Sequence, residues 1–226
     1  MHPPRFHRRF GYDLSLLPNK HLRKLEKGVK DIEQAQKKTG MTIGFPGWGM
    51  LYYLLLCHLE SGKRNVIVET GTNVGCSTII LAQALHDSGC DGLVYSMEIM
   101  EKEHSTARGN LKASGVGEHV RLIHGDAKTE LPGILAVEPV VRFAFLDGSH
   151  LFNDVMAEFE LLLPHLEPDA LVIFDNTYRI AEASEDQRVN GALQEIHGRH
   201  GGNLLNLEFV SWYTPGLAIW QRTPRL

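Results

Sequence analysis

The sequence predicts an α/β fold: a doubly wound, mostly parallel sheet of seven strands, preceded by helices and closed by a C-terminal antiparallel hairpin. Three observations predict it. Short β-branched or apolar runs alternate with helical segments from Asn65 to Phe174, the order that builds a parallel sheet with crossover helices. Near the end, the strand-like runs Leu204 to Trp212 and Leu217 to Arg222 are separated only by Tyr213-Thr214-Pro215-Gly216. That is too little chain for a parallel crossover and enough for a hairpin turn. At 226 residues and 43% hydrophobic content, the chain fits one core and lacks the run of about 20 apolar residues that a membrane span needs.

Taken in order, Pro18-Asn19 opens a helix in which Leu22, Leu25, Val29 and Ile32 recur at three- and four-residue steps, and Gly40 stops it. A second helix follows Pro46, carries Leu51, Leu54, Leu55 and Leu59 on one face, and ends before Gly62. Isolated amphipathic helices need a surface for their apolar stripe. Residues 1–60 are therefore expected to be a helical extension packed on the same domain, covering a pocket or mediating a homodimer, and residues 61–226 the ligand-binding domain. The expected strands are Asn65 to Glu69, Leu93 to Glu98, Val120 to His124, Arg142 to Leu146 and Ala170 to Phe174. Helices are expected at Ser77 to His86, Lys102 to Ala113, Lys128 to Leu135 and Asn153 to Leu166, with a further one from about Glu185 to His197 before the hairpin.

Composition narrows the function classes. A net charge of −4 argues against nucleic acid as a partner, because phosphate neutralisation needs a surplus of Lys and Arg on one face. The basic stretch from Arg5 to Lys38 reads as a solvated helix face. Arg8-Arg9 invites an export reading, but polar and charged residues follow it rather than an apolar run. Cys57, Cys76 and Cys90 have no metal-ligand spacing and read as free thiols in a reducing compartment, so a cytoplasmic protein without membrane attachment is expected.

The sharpest motif is Val66-Ile67-Val68-Glu69-Thr70-Gly71-Thr72-Asn73-Val74-Gly75-Cys76-Ser77, an apolar strand entering a glycine turn and then a helix. Gly71 and Gly75 let the backbone approach a ligand where a side chain would collide. A dinucleotide turn wants glycine at the middle position, which here is Asn73, so a nicotinamide oxidoreductase is the weaker reading. Glu69 at the strand end would repel a pyrophosphate and suits a ligand carrying an ammonium and a sulfonium. This favours S-adenosylmethionine. Glu98, ending the next strand, is placed to accept from ribose hydroxyls, and Asp126 after the third strand to accept from an adenine amino group. Singly, Glu98 and Asp126 read as helix caps; together with Glu69 they line successive strand ends.

The fourth and fifth strands end in Asp147-Gly148-Ser149-His150 and Asp175-Asn176-Thr177. If these strands are neighbours, Asp147, Asp175 and the Asn176 amide oxygen form an all-oxygen cluster suited to Mg²⁺. A cation there would lower the pKa of an acceptor hydroxyl and hold its oxygen. His150 is the candidate base, three residues beyond Asp147.

These residues resemble the metal-dependent O-methyltransferases of the catechol and caffeoyl-coenzyme A type, within the wider class I methyltransferases and their Rossmann-like fold. The similarity spans roughly Met41 to the C-terminus. Glu69-x-Gly71-x-x-x-Gly75-x-Ser77 is similar to their cofactor turn, Glu98 to their ribose-binding acid, and Met41-Thr42-Ile43-Gly44 to the segment that packs over the cofactor. The resemblance implies that Met41, Ile43, Glu69, Gly71, Thr72, Gly75, Ser77, Glu98, Asp126, Ala127 and Asp147 contact S-adenosylmethionine, that Asp147, Asp175 and Asn176 hold magnesium, and that Asp147 and His150 serve catalysis. Those enzymes carry a lysine three residues after the first metal-binding Asp, where this chain has His150, so their base is not carried over.

The resulting expectation is a Mg²⁺-assisted O-methyltransferase of a hydroxylated small molecule. Its rivals are a metal-independent O- or N-methyltransferase relying on His150, and a noncatalytic cofactor-binding protein. Trp48, Tyr52, Tyr53, Tyr178, Arg179, Trp212 and Tyr213 are candidates for the acceptor site.

Overall fold

A computed structural model describes residues 13–40, 47–177, 187–207 and 216–223. Its strands are β1 (Asn65–Thr70), β2 (Gly92–Glu98), β3 (Val120–His124), β4 (Val141–Leu146), β5 (Leu166–Asp175), β6 (Asn203–Leu207) and β7 (Leu217–Gln221). Its helices are α1 (Lys20–Glu26), α2 (Ile32–Thr39), α3 (Gly47–His58), α4 (Cys76–Ser88), α5 (Glu101–Ser114), α6 (Ala127–Val137), α7 (Phe152–Leu162) and α8 (Arg188–His200). In space the strands run β3-β2-β1-β4-β5-β7-β6. Pairings from β3 through β5 are parallel, and β7 is antiparallel to both β5 and β6. This is the doubly wound sheet with a closing hairpin that the sequence predicts.

Central strands of such a sheet are covered on both faces, so they read as continuous apolar runs rather than alternating ones. In β1, Val66 and Val68 enter one core and Ile67 the other; in β4, Ala144 and Leu146 face the first, Phe143 and Phe145 the second. Helices α6, α7 and α8 supply the first core through Leu131, Phe159 and Ile196. The second core takes Leu51 from α3, Ile80 from α4 and Leu111 from α5, and Leu22 of α1 joins it.

The N-terminal stripe departs from the expectation of one helix. Gly28 adopts φ +77° and the chain restarts at Asp31, whose side chain caps α2 by accepting from Gln34 N at 2.8 Å. Glycine inside a helix loses about 1 kcal/mol against alanine, and the Asx cap satisfies a free N–H, so two short helices replace one. Asn19 caps α1, and its Nδ2 donates to Gln83 Oε1 at 2.8 Å and Ser114 O at 3.1 Å, tying α1 to α4 and α5. The helix expected up to Leu166 ends at Leu162, because Pro164 cannot donate a backbone hydrogen bond, and β5 begins at Leu166. Helix α8 starts three residues later than expected, and the 208–215 part of the hairpin lies outside the described residues.

Among the described residues no helix is long and apolar enough to cross a membrane. Cys57, Cys76 and Cys90 are free.

Phe159 is fully buried and meets Trp220 edge-on at a centroid distance of 5.1 Å and Phe174 at 6.1 Å, bridging α7 to β5 and β7. Phe159→Ala is expected to lower stability by about 3–5 kcal/mol, measured as a fall in the urea midpoint with the slope unchanged.

Candidate active site

Parallel pairing sends the ends of β1 to β5 to one edge of the sheet, and the register sets their level. Thr70 pairs with Met97 on one side and Leu146 on the other, and Leu146 pairs with Phe174. The residues that follow, Gly71, Asp147 and Asp175, therefore emerge side by side. Strand order reverses between β1 and β4, where the loops of an open α/β sheet part and leave a crevice. A cleft of about 760 Å³ lies there.

The β1–α4 turn is held by backbone contacts. Gly71 N and Thr72 N both donate to Met97 O, at 3.0 and 3.1 Å, and Asp147 N donates to Thr70 O at 3.0 Å. Gly71 has φ +83°, and a Cβ there would lie 2.1 Å from the Asp147 carbonyl oxygen, so no other residue fits. Asn73, which stands where a dinucleotide turn has glycine, is itself left-handed at φ 51°. Asparagine visits that region more readily than most residues, and here its Nδ2 donates to Gly40 O at 2.8 Å.

Of the residues expected to hold a cofactor, Gly71, Ser77, Glu98, Asp126, Ala127 and Asp147 line the cleft. Glu98 accepts from Asn73 N at 2.6 Å through one oxygen and from Met100 N at 2.8 Å through the other. Each oxygen keeps a second lone pair for a ligand hydroxyl. Asp126 caps α6 by accepting from Lys128 N at 2.8 Å, so the cap and the position in the cleft coexist. Glu69, Thr72 and Gly75 are not part of the lining. Thr72 Oγ1 lies 2.5 Å from Ser96 Oγ, and Gly75 caps α4 against Ala107. The fully buried Glu69 accepts from Ser96 Oγ at 2.6 Å and Thr78 Oγ1 at 2.5 Å, and its Oε1 has no hydrogen-bond partner among the described residues. Ser77, which lowers the pKa of Glu69, lines the cleft. Met41 and Ile43 lie outside the described residues.

At the β4 and β5 ends, donor atoms of Asp147, His150 and Asp175 lie within 4.8 Å of one another. His150 Nε2 is 3.4 Å from Asp147 Oδ1, and Asp175 Oδ1 is buried with no partner among the described residues. Asn176, left-handed at φ 57°, places its Nδ2 3.0 Å from both nitrogens of His150. The imidazole thus enters the cluster that the sequence reading built from Asp147, Asp175 and Asn176. A half-turn of the Asn176 amide exchanges its nitrogen for its oxygen at the same place. Two carboxylates, one with an orphaned oxygen, fit a hard divalent cation with positions left for acceptor oxygens; His150 adds a borderline nitrogen donor.

Burial crowds these acids. It pushes Glu69 up to about 7 against the opposing hydrogen bonds of Ser77, Ser96 and Thr78. Burial likewise pushes Asp147 up to about 8, with Glu69, Glu158 and Glu98 adding repulsion. Asp175 is held well above the usual carboxylate range by burial and then by Asp147. His150 moves the other way, its pKa lowered chiefly by burial, which keeps a neutral, proton-accepting ring.

Several lining residues were absent from the sequence reading. Glu158 accepts from Thr70 Oγ1 at 2.7 Å and is pushed up to about 7 by burial. Lys128 Nζ donates to Asp154 Oδ1 at 2.5 Å, and Ser149 Oγ donates to Asp154 Oδ2 at 2.6 Å. The aromatic candidates on α3 lie elsewhere: Trp48 is core, Tyr52 OH donates to Asp87 at 2.7 Å, and Tyr53 is exposed, because α3 packs along α4 on the sheet face. Tyr178, Arg179, Trp212 and Tyr213 lie outside the described residues.

Residues 68–177 match a family described as a methyltransferase domain. Catechol O-methyltransferase of Mycobacterium tuberculosis is 30% identical over 171 residues, 73% of each chain. A probable cobalt-precorrin-6B C(15)-methyltransferase of Methanothermobacter thermautotrophicus is 32% identical over 120 residues, and the chain spans only 56% of that protein. Among solved structures, an O-methyltransferase from Streptomyces achromogenes in complex with SAM superposes with a TM-score of 0.72 at 22% identity, covering 91% of this chain and 90% of that one. An O-methyltransferase from Bacillus cereus in complex with SAH gives 0.71 at 24% identity, covering 95% and 93%.

Glu158 yields a pH test. Its folded pKa of about 7 exceeds the ordinary glutamate value of 4.5, so between these values the folded state binds more protons than the unfolded one. Its contribution is complete below about 4.5 and is lost as pH rises through about 7. Glu158→Gln, which keeps an acceptor for Thr70, is expected to exceed the parent in stability at pH 8 by on the order of 3 kcal/mol, or about 10 °C in Tm. The gap should close toward pH 5; calorimetry across that range checks it.

Proposed function

The chain belongs to the class I S-adenosylmethionine-dependent methyltransferases of the catechol and caffeoyl-coenzyme A O-methyltransferase type, and from that premise we propose that it methylates a hydroxyl of a small molecule with help from Mg²⁺. One observation carries the reading: Glu98 and Asp126 beside the Gly71 turn, and the Asp147–His150–Asp175 cluster, open into the same cleft. The free lone pairs of Glu98 in the cleft and the orphaned Asp175 Oδ1 support a fit for both groups. S-adenosylmethionine supplies an electrophilic methyl carbon, and Mg²⁺ would lower the pKa of an acceptor hydroxyl.

The remaining work falls to this chain's residues. Glu98 accepts ribose hydroxyls through the lone pairs that Asn73 and Met100 leave free. Ser77 and buried Glu69 present negative polarity toward a cationic ligand. Asp147, Asp175 and, after an amide turn, Asn176 would hold the metal beside that ligand. His150, kept neutral by burial, takes the acceptor proton at a ring nitrogen. Alignment of acceptor and methyl carbon within one cleft then removes much of the encounter entropy.

A metal-free version of the reaction is favoured by one detail, the imidazole placed within the acid cluster, where His150 alone orients and deprotonates the acceptor. The free thiols support a reducing, cytoplasmic setting.

Calorimetric titration of the purified chain with S-adenosylmethionine should give a roughly micromolar Kd that Glu98→Gln weakens about 10- to 100-fold; absence of binding by the parent removes the proposal. With a panel of catechol-like and other hydroxylated acceptors, EDTA should abolish methyl transfer and Mg²⁺ restore it. Asp175→Asn should lower kcat at least about 100-fold with little change in cofactor affinity. Activity that survives EDTA but is lost in His150→Gln selects the metal-free version.

A further inference from the structure

Among the described residues, one cluster of metal-ligating side chains stands apart from the cleft. His86 lies in the last turn of α4, and Glu118 and His119 lie in the short 3₁₀ turn Gly117–His119 that leads into β3. His86 Nδ1 is 3.2 Å from His119 Nε2, with ring centroids 5.3 Å apart and planes at 64°. Glu118 Oε1 is 3.8 Å from the same His119 nitrogen, and the three donor atoms lie within 4.8 Å of one another. We propose that His86, His119 and Glu118 form a second metal site, specific for a borderline transition ion such as Zn²⁺ and independent of the methyl-transfer chemistry.

Geometry carries the argument. Two imidazole nitrogens bound to one tetrahedral Zn²⁺ at about 2.0–2.1 Å stand roughly 3.3–3.4 Å apart. The observed 3.2 Å is close to that separation before any ion enters. A direct imidazole–imidazole hydrogen bond leaves one ring's nitrogen as donor and the other's as acceptor; an ion between them accepts from both lone pairs. Glu118 is 76% exposed and free to swing the remaining distance, and water completes the fourth position.

The backbone under these ligands is already fixed. His86 O accepts from Gly89 N at 3.2 Å, His119 N donates to Val116 O at 3.1 Å, and Leu85 and Val116 share one core. Coordination therefore orders little beyond three side chains. The carboxyl end of α4 also favours positive charge, through the partial negative charge of its terminal carbonyls. Nitrogen-rich coordination discriminates against Mg²⁺, which prefers oxygen. An ion here would tie the end of α4 to the entry of β3 across 33 residues of sequence.

The test is calorimetric titration of the full chain with Zn²⁺ in buffer containing excess Mg²⁺. One Zn²⁺ per chain should bind with a roughly micromolar Kd, weakened at least about 30-fold in both His86→Ala and His119→Ala and retained in His150→Gln. Saturating Zn²⁺ should raise Tm by about 3–8 °C in the parent and not in His86→Ala. His86→Gln, which preserves size at this exposed position, must show the same loss if His86→Ala fails to fold. No binding, binding that survives these His86 and His119 substitutions, or binding lost in His150→Gln overturns the assignment.

Discussion

The close approach of Gly71 to the Asp147 carbonyl is the constraint on which the cleft depends. It joins the turn after β1 to the loop after β4 at the point where strand order reverses. The hydrogen bond from Asp147 N to Thr70 O extends the parallel ladder one step beyond the strands and fixes the level of both loops. Because Leu146 is in turn registered with Phe174, Asp175 is carried to the same rim. A side chain at position 71 would separate the two halves, and Glu98 on one side and Asp147 and Asp175 on the other would no longer share a wall.

That proximity has an electrostatic penalty. Glu98, Asp147, Glu158 and Asp175 line one cleft and Glu69 is buried beside it, while Lys128 is the one lysine or arginine among the described lining residues. Burial favours protonation of the inner acids, and cations reverse that preference. A methyl donor that is itself a sulfonium and an ammonium, together with the proposed divalent ion, would supply the positive charge that the folded chain lacks. Ligands of that charge would therefore stabilise the folded site.

Much of this was legible in the sequence because the relevant signals are local. Apolar runs such as Val66-Ile67-Val68 and Leu171-Val172-Ile173-Phe174 mark central strands, and parallel pairing carries Asp175 to the rim while Glu69, one residue short of the end of β1, stays buried beneath it. What was not legible depended on tertiary contacts. Glu158 sits on the same stripe of α7 as Val155, Phe159 and Leu162; a charge on an apolar stripe was the available signal, and it reads as solvated until Thr70 is seen opposite. Trp48 could line a site or fill a core, and only the packing of α3 on α4 decides. The break at Gly28 was written in the glycine and the Asp31 cap, but the apolar spacing of Val29 and Ile32 masked it. The spacing from Asp147 marked His150 as a candidate base, whereas its contact with the Asn176 amide required the fold of both loops.

The chain of contacts from Lys128 through Asp154 to Ser149 spans the far corner of the cleft, linking the start of α6 to the loop after β4. It acts as a tie rod between the wall that would face a nucleobase and the wall that carries the acid cluster. The aperture between those walls is consequently set when the protein folds, and an incoming molecule does not have to draw them together. The entropy of that alignment is spent during folding, leaving more of the binding energy to distinguish one acceptor from another.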